Sequence, residues 1–429
     1  LNKLWREVGA LDDTIEIRNR DPFFLYEEDG KQACLYRDIE TLRTKWTQLS
    51  PEDRQEIDKL CSDVKKFTKL QMPAMDLPKL KAKYPVKVSM KMMFSMLSAL
   101  PRMQYYQNFS AKEYSEKFRC PQIRNLLANM IGEEYNAAGV LLTIATLAAG
   151  DGGYPKGGSL AMAGRMAKNF ESLGGVIRYQ TPVEKVVVEN GAVTGVIIAG
   201  ERIPADAVIV TRDTLSAIDT LFDDPIREPW AEKMRAETVP ATNVFVGLGV
   251  EADLSDLPGS ATFPVKEPIQ VGDLSYHAIG FNNYAGFTGY APEGCTAVTT
   301  ALMGDSYDFW KQCYGNGTYD AEKQKVAEAV IHALEEKYPH IAGKTTVWDV
   351  ATPLTYERYL GSYRGSWMSV MKKGQANVQY PCKPETISNL YFAGQRLVSP
   401  GGCPVALTTG RTAVQQLCLD TDTVFQGNY

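Results

Sequence analysis

A mixed α/β fold, α+β in part, is what this sequence predicts, and three stretches predict it. Residues 390–393 are a short apolar run suited to a buried strand, followed by a glycine-rich loop and a helical pattern. Residues 150–210 hold a glycine-dense loop, a helical pattern, the hairpin signal Asn190-Gly191 and a second buried run at 207–210. Residues 242–250, 276–282 and 296–303 read as strands of one sheet, and a long helical pattern follows at 320–338.

In chain order, residues 15–36 read as short strands around the turn Asp29-Gly30. Ser50 is placed to cap a helix with Pro51 at its first position and acids in the first turn. Ile57, Leu60, Cys61, Val64 and Phe67 share one face of it. Ser110, followed three residues later by Glu113, is a capping box, and the helix it opens breaks at Pro121 and resumes through Leu126, Leu127 and Met130.

Residues 80–105, from Leu80 at one end to Tyr105 at the other, are read as helical and are unusual. Lys79, Lys81, Lys83, Lys87, Lys91 and Arg102 flank or enter the run, which contains no acid. Met90, Met92, Met93, Phe94, Met96 and Leu97 are interleaved with them. Two readings stand: a packed lid helix with its lysines in water, or a surface helix dipping into a lipid interface.

From Gly150 the glycine-dense loop leads to a helix at 160–173 stopped by Gly174-Gly175. Strands are predicted at 176–179, 183–189, 193–198 and 207–210. In the helix at 320–338, Val326, Ala329, Val330, Ala333 and Leu334 should face inward. At the C-terminal end, Gly394 closes the strand, and Gly401 and Gly402 lack the Cβ that keeps a ligand from backbone amides. Pro404 suits the first turn of a helix over 405–417, with Leu407, Val414 and Leu417 among its apolar positions. That order puts N–H groups and a positive dipole end where a polar or anionic group can dock.

Length allows two domains, since 429 residues can bury two sizeable cores. A net charge of -5 gives no basis for nucleic-acid binding. Eight cysteines lie scattered without a Cys-x-x-Cys pair, and only His277, His332 and His340 join them, so no metal set is expected. Reduced thiols suit a cytoplasmic protein. No apolar stretch reaches 18 residues, and no signal-peptide pattern opens the chain. Neither a Ser/His/Asp set nor a P-loop emerges, and His277 is expected to be a packed side chain. Catalytic residues therefore stay unassigned, with Tyr154, Tyr284 and Tyr363 as tyrosines within plausible reach of a site.

The string 390–417 resembles the C-terminal flavin-binding segment of the phytoene desaturase-like FAD oxidoreductases, which include carotenoid desaturases, carotenoid isomerases and retinol saturases. Gly394, Pro400, Gly401, Gly402, Pro404 and Val405 match its pattern, whereas Gln395 and Arg396 stand where that family often has an acid. The resemblance implies a glutathione-reductase-type FAD/NAD(P)-binding domain, an antiparallel-sheet substrate domain and a helical lid. Residues 1–149 and 226–355 would form the substrate and lid part, and residues 150–225 and 356–429 the FAD-binding part. It implies FAD as cofactor, with Gln395 among the residues around it. Val183 would touch the adenine through its backbone, and Gly361 and Gly365 would let the chain pass a flat ring.

The implied reaction is on C–C or C=C bonds of an apolar, isoprenoid substrate, with desaturation, saturation and isomerisation all open. An amine-oxidising flavoprotein and a non-catalytic lipid- or membrane-binding relative are the alternatives. A dinucleotide-binding fold usually opens with a strand and a Gly-x-Gly-x-x-Gly turn. None precedes Leu390, and the chain starts without Met, so the expectation is either a fragment or a chain whose N-terminal segment was removed or not observed.

Overall fold

The computed structural model describes residues 2–70, 74–87, 89–375 and 378–427. Its largest sheet has seven strands in the spatial order Thr345–Ala351, Asn243–Val250, Thr296–Met303, Leu274–Asn283, Ser260–Val271, Phe24–Glu28 and Lys31–Leu35. All neighbours are antiparallel except Phe24–Glu28, which runs parallel to Ser260–Val271 with Leu25 opposite Ala261. Alternation decides the faces: Val244, Val246, Leu248 and Val250 point to the core. The helix Tyr319–Lys337 covers that face with Val326, Ala327, Val330, Ala333 and Leu334. Its stripe is centred near Val330, which brings Ala327 inside and leaves Ala329 only partly buried. Ser260–Val271 escapes a reading by pattern because Pro264 and Pro268 interrupt it, and the register shifts between Pro264 and Ile269.

A second core gathers the helices Ile39–Leu49, Arg54–Phe67, Pro121–Asn129 and Ala138–Ala148 around Trp46, Tyr106, Tyr114 and Phe118. Ser50 does not cap an amide here. Its hydroxyl donates to Asp53 Oδ2 at 2.7 Å, and that carboxylate accepts the Arg119 and Cys120 N–H groups, tying the two helix starts together. The capping box at Ser110 and Glu113 forms as read.

The third core lies around a parallel pair, Val208–Val210 with Leu390–Phe392, beside the meander Lys185–Glu189, Ala192–Ile198 and Glu201–Pro204. Asn190 and Gly191 take φ of 51° and 75°, the two positive values a type I′ hairpin requires.

Several expectations are corrected. Residues 176–179 are not a strand; Val176 is 78% and Tyr179 70% exposed, and with no neighbour to pair with among the described residues the run gains no ladder. The helix Gly158–Ser172 buries none of its residues, leaving Leu160 and Phe170 in solvent. Residues 80–87 are not helical: Lys83 N–H donates to Phe425 O and Phe425 N–H to Lys81 O, which ties this segment to the C-terminal end, and the helix is Met90–Gln107. His277 is exposed on its strand rather than packed. The C-terminal helix runs Cys403–Asp420 and turns Thr409, Arg411, Ala413 and Gln415 inward, while Val414 faces out. Polar groups tolerate this burial because Arg411 pairs with Glu7 and Gln415 with Asp76.

Candidate functional site

The strand Leu390–Phe392 delivers the chain to Gly394, whose φ of 136° and ψ of 173° suit glycine alone. Gly394 N–H donates to Thr409 Oγ1 at 2.9 Å, locking the strand end to the C-terminal helix. Gln395 then braces the glycine loop: its Oε1 accepts the Gly402 N–H at 3.1 Å. A Cβ on Gly401 would stand 3.0 Å from Gln395 O, and Pro400 O accepts the Ser369 N–H at 2.8 Å. Gly402 has a φ of 90° and faces open space, where a Cβ would meet only Pro404 Cδ at 3.8 Å. Ala406 N–H returns to Gly402 O, the first bond of the helix. The N–H groups of Cys403 and Val405 lie ahead of it at the open end.

Arg396 anchors this loop from below. Its guanidinium reaches Asp213 Oδ2 at 2.6 Å and the hydroxyls of Ser366 and Ser369 at 2.6 and 2.7 Å, all in the interior. Through Ser366 the segment of Gly365 is drawn to the loop. Gly365 itself has a packing cause, because a Cβ would fall 1.9 Å from Pro353 O. Gly361 likewise makes room for Arg212. Sequence reading missed the Arg396–Asp213 tie; a lone arginine next to an Ala-Gly gives no sign of a partner 183 residues away.

Two cavities flank these elements. One, about 390 Å³, is lined by Phe67, Leu70, Leu142, Ala145, Pro404 and Val405, with Asp151 as its ionisable group. The other, about 500 Å³, lies against the strand Val208–Val210 and is lined by Val183, Val196, Leu360, Arg212 and Glu357. The structure thus brings Gly394, Gln395, Pro400, Gly401, Gly402, Pro404 and Val405 together and Gly365 close to them. Val183 sits apart, ahead of the strand Lys185–Glu189, at the second cavity.

Tyr154 and Tyr284 are engaged elsewhere. With Phe287 they surround the Arg20 guanidinium at 4.8–5.1 Å from their ring centres, and burial pushes the Tyr154 phenol above its usual range. Tyr363 is half-buried beside the third core.

A strand, a glycine loop and an open helix start beside a mainly apolar cavity are the parts that a bound organic cofactor would use. The family profile described as flavin containing amine oxidoreductase matches residues 3–418, and the chain belongs to that family. Curated relatives include the chloroplastic prolycopene isomerase of Daucus carota, 26% identical over 278 residues covering 62% of this chain and 44% of that protein. The neurosporene-forming phytoene desaturase of Cereibacter sphaeroides is 26% identical over 243 residues, 54% of this chain and 45% of its own. The chain spans about half the length of these relatives. Their names agree with the resemblance read from residues 390–417. Among solved structures, cyclohexylamine oxidase from Brevibacterium oxydans aligns with a TM-score of 0.57 at 13% identity, covering 98% of this chain and 84% of that one. Putrescine oxidase bound to putrescine gives 0.55 at 15%, with coverage of 98% and 84%. These last two share the fold.

The residues present fit a flavin at one end. Gly402 leaves the approach to the helix start free of side chain, and the amides there offer donors to a polar ring edge or chain. Among the described residues no strand with a Gly-x-Gly-x-x-Gly turn supplies a second cradle.

Proposed function

We propose that this chain carries out, as an FAD-dependent oxidoreductase or as part of one, chemistry on the C–C or C=C bonds of an apolar isoprenoid. The observation that carries this reading is the 390 Å³ cavity: apolar side chains converge on the open start of the helix Cys403–Asp420, with a single carboxylate among its lining. Bound FAD supplies the redox change itself. The chain's own part is to present Gly401, Gly402 and the amides of Cys403 and Val405 to the cofactor, and to exclude water with Phe67, Leu70 and Leu142. A polyene asks little more, because it offers no group that needs a charged partner. The names of the carotenoid desaturases and the isomerase among the relatives support the same substrate class.

Oxidation of an amine is the second reading, and the fold of the putrescine and cyclohexylamine oxidases is compatible with it. An amine would be expected to meet an aromatic cage. The aromatic cluster of Tyr154, Tyr284 and Phe287 is already filled by Arg20. Incubation with added FAD and either a detergent-dispersed carotene or a primary amine, followed by chromatography of both, decides between them. Amine consumption with the carotene untouched would overturn the isoprenoid reading.

A further inference from the structure

The helix Met90–Gln107 turns its apolar stripe outward. Met90, Met93, Phe94, Leu97 and Leu100 follow the spacing of a core-facing stripe, yet Phe94 is 62%, Leu97 55% and Leu100 59% exposed. At about 100° per residue, these and the exposed Met96 lie within roughly 160° of arc. The opposite side holds the helix in place: Ala99 and Met103 pack on the second core, and Arg102 Nε reaches Asp63 Oδ1 at 3.0 Å. A contiguous apolar face of this kind marks a contact surface rather than ordinary exposure.

Charge indicates what covers it. No acid occurs between Asp76 and Glu113. Of the six cations expected here, two are neutralised within the protein, Lys81 by Asp422 at 2.6 Å and Arg102 by Asp63, which corrects the expectation of six available charges. The side chain of Lys91 lies outside the described residues. Lys79, Lys83 and Lys87 are exposed at the foot of the helix and form no ion pair among the described residues. The segment carrying them is fixed, since Asp76 accepts the Val86 N–H at 2.6 Å and the Gln415 side chain at 2.8 Å. It also begins at the cavity, whose wall includes Leu70 and Ala74.

We propose that residues 75–87 and 89–100 seat on an anionic bilayer surface, Phe94, Leu97 and Leu100 entering the acyl boundary while Lys79, Lys83 and Lys87 meet headgroups. The 390 Å³ cavity then opens beside the membrane, where an apolar ligand is stored. Contact is interfacial, because no helix among the described residues is long and apolar enough to cross. A second copy is a poorer cover: a two-fold contact would set these lysines against one another. The inference deepens the proposed function by naming where the substrate comes from. Its test uses neither FAD nor substrate, so failure of the redox reading and failure of membrane binding are told apart.

The experiment is co-sedimentation of the chain with vesicles of phosphatidylcholine, with and without phosphatidylglycerol, at low and high salt. Binding is expected with the anionic vesicles and should weaken in salt. Lys83→Gln with Lys87→Gln should weaken it roughly 30-fold. Phe94→Ser with Leu97→Ser should weaken it on the order of a hundredfold, with an unchanged thermal melt because both sites are exposed. Wild-type protein that ignores anionic vesicles at low salt overturns the proposal. So does equal binding by the Phe94/Leu97 variant, or vesicle indifference combined with a dimer that this variant dissolves.

Discussion

The guanidinium of Arg396 and the carboxylate of Asp213 meet at 2.6 Å with their side chains 1% and 3% exposed, and on this pair the glycine loop rests. Asp213 also accepts the Ser216 N–H as cap of the helix Thr214–Thr220, and Arg396 also holds Ser366 and Ser369. The pair therefore joins the ends of both parallel strands to the segment of Gly365. Removing one partner leaves a buried charge alone, at a cost of about 3–5 kcal/mol. Arg396→Met is expected to lower urea stability by that amount. Arg396→Met combined with Asp213→Leu should cost clearly less, since no charge is stranded. A single-variant loss below about 1 kcal/mol would mean the pair is solvated in solution.

Glu228 predicts a pH dependence. Burial alone would raise its pKa, but the Thr386 hydroxyl, the Glu385 and Thr386 N–H groups and the Trp230 indole N–H outweigh that, and its carboxyl is held below the usual 4.5. A depressed carboxylate adds stability that is present above pH 4.5 and is lost as pH falls through the lower folded value. Glu228→Gln should thus melt lower than wild type at neutral pH, and the gap should close in acid. Thermal melts across that window check it. A gap that persists unchanged at the acid end rules the carboxylate out as the cause.

Gly402 tests the helix start as a cofactor seat. Its φ of 90° and ψ of 172° already disfavour a side chain, and the space beyond it is open. Gly402→Val should weaken FAD binding at least about tenfold in a fluorescence titration, which is about 1.4 kcal/mol. The fold should survive, because nothing in the protein occupies that space and the backbone strain of a side chain at this φ is confined to the loop. Unchanged affinity would reduce the loop to an ordinary turn.

What could be read from sequence was local. Asn190-Gly191, the Ser110 box and the run from Leu390 through Pro404 each encode their geometry in neighbouring residues, and each is found. What could not be read depends on partners distant in the chain. Residues 80–87 have a helical look that Phe425 overrides, and the run 176–179 has strand composition without a paired strand among the described residues. The outward stripe of Met90–Gln107 looks identical in sequence to an inward one. Arg396 could be seen as a departure from a pattern, but not as half of a buried pair.

The last prediction is that the 429-residue chain holds FAD loosely. A dinucleotide is gripped chiefly at its pyrophosphate, by a glycine turn and the helix start behind it. The loop at Gly401 offers amides at one end, and one of these, Gly402 N–H, is already committed to Gln395. The parallel sheet has only the strands Val208–Val210 and Leu390–Phe392 among the described residues, and the helix Gly158–Ser172 buries none of its residues. With no Gly-x-Gly-x-x-Gly turn among the described residues to hold the pyrophosphate, binding weaker than roughly micromolar is expected, short of about 8 kcal/mol. Purified chain should then lose added FAD on desalting yet show saturable quenching in titration. An equimolar flavin that survives desalting would show that these residues alone form a complete cradle.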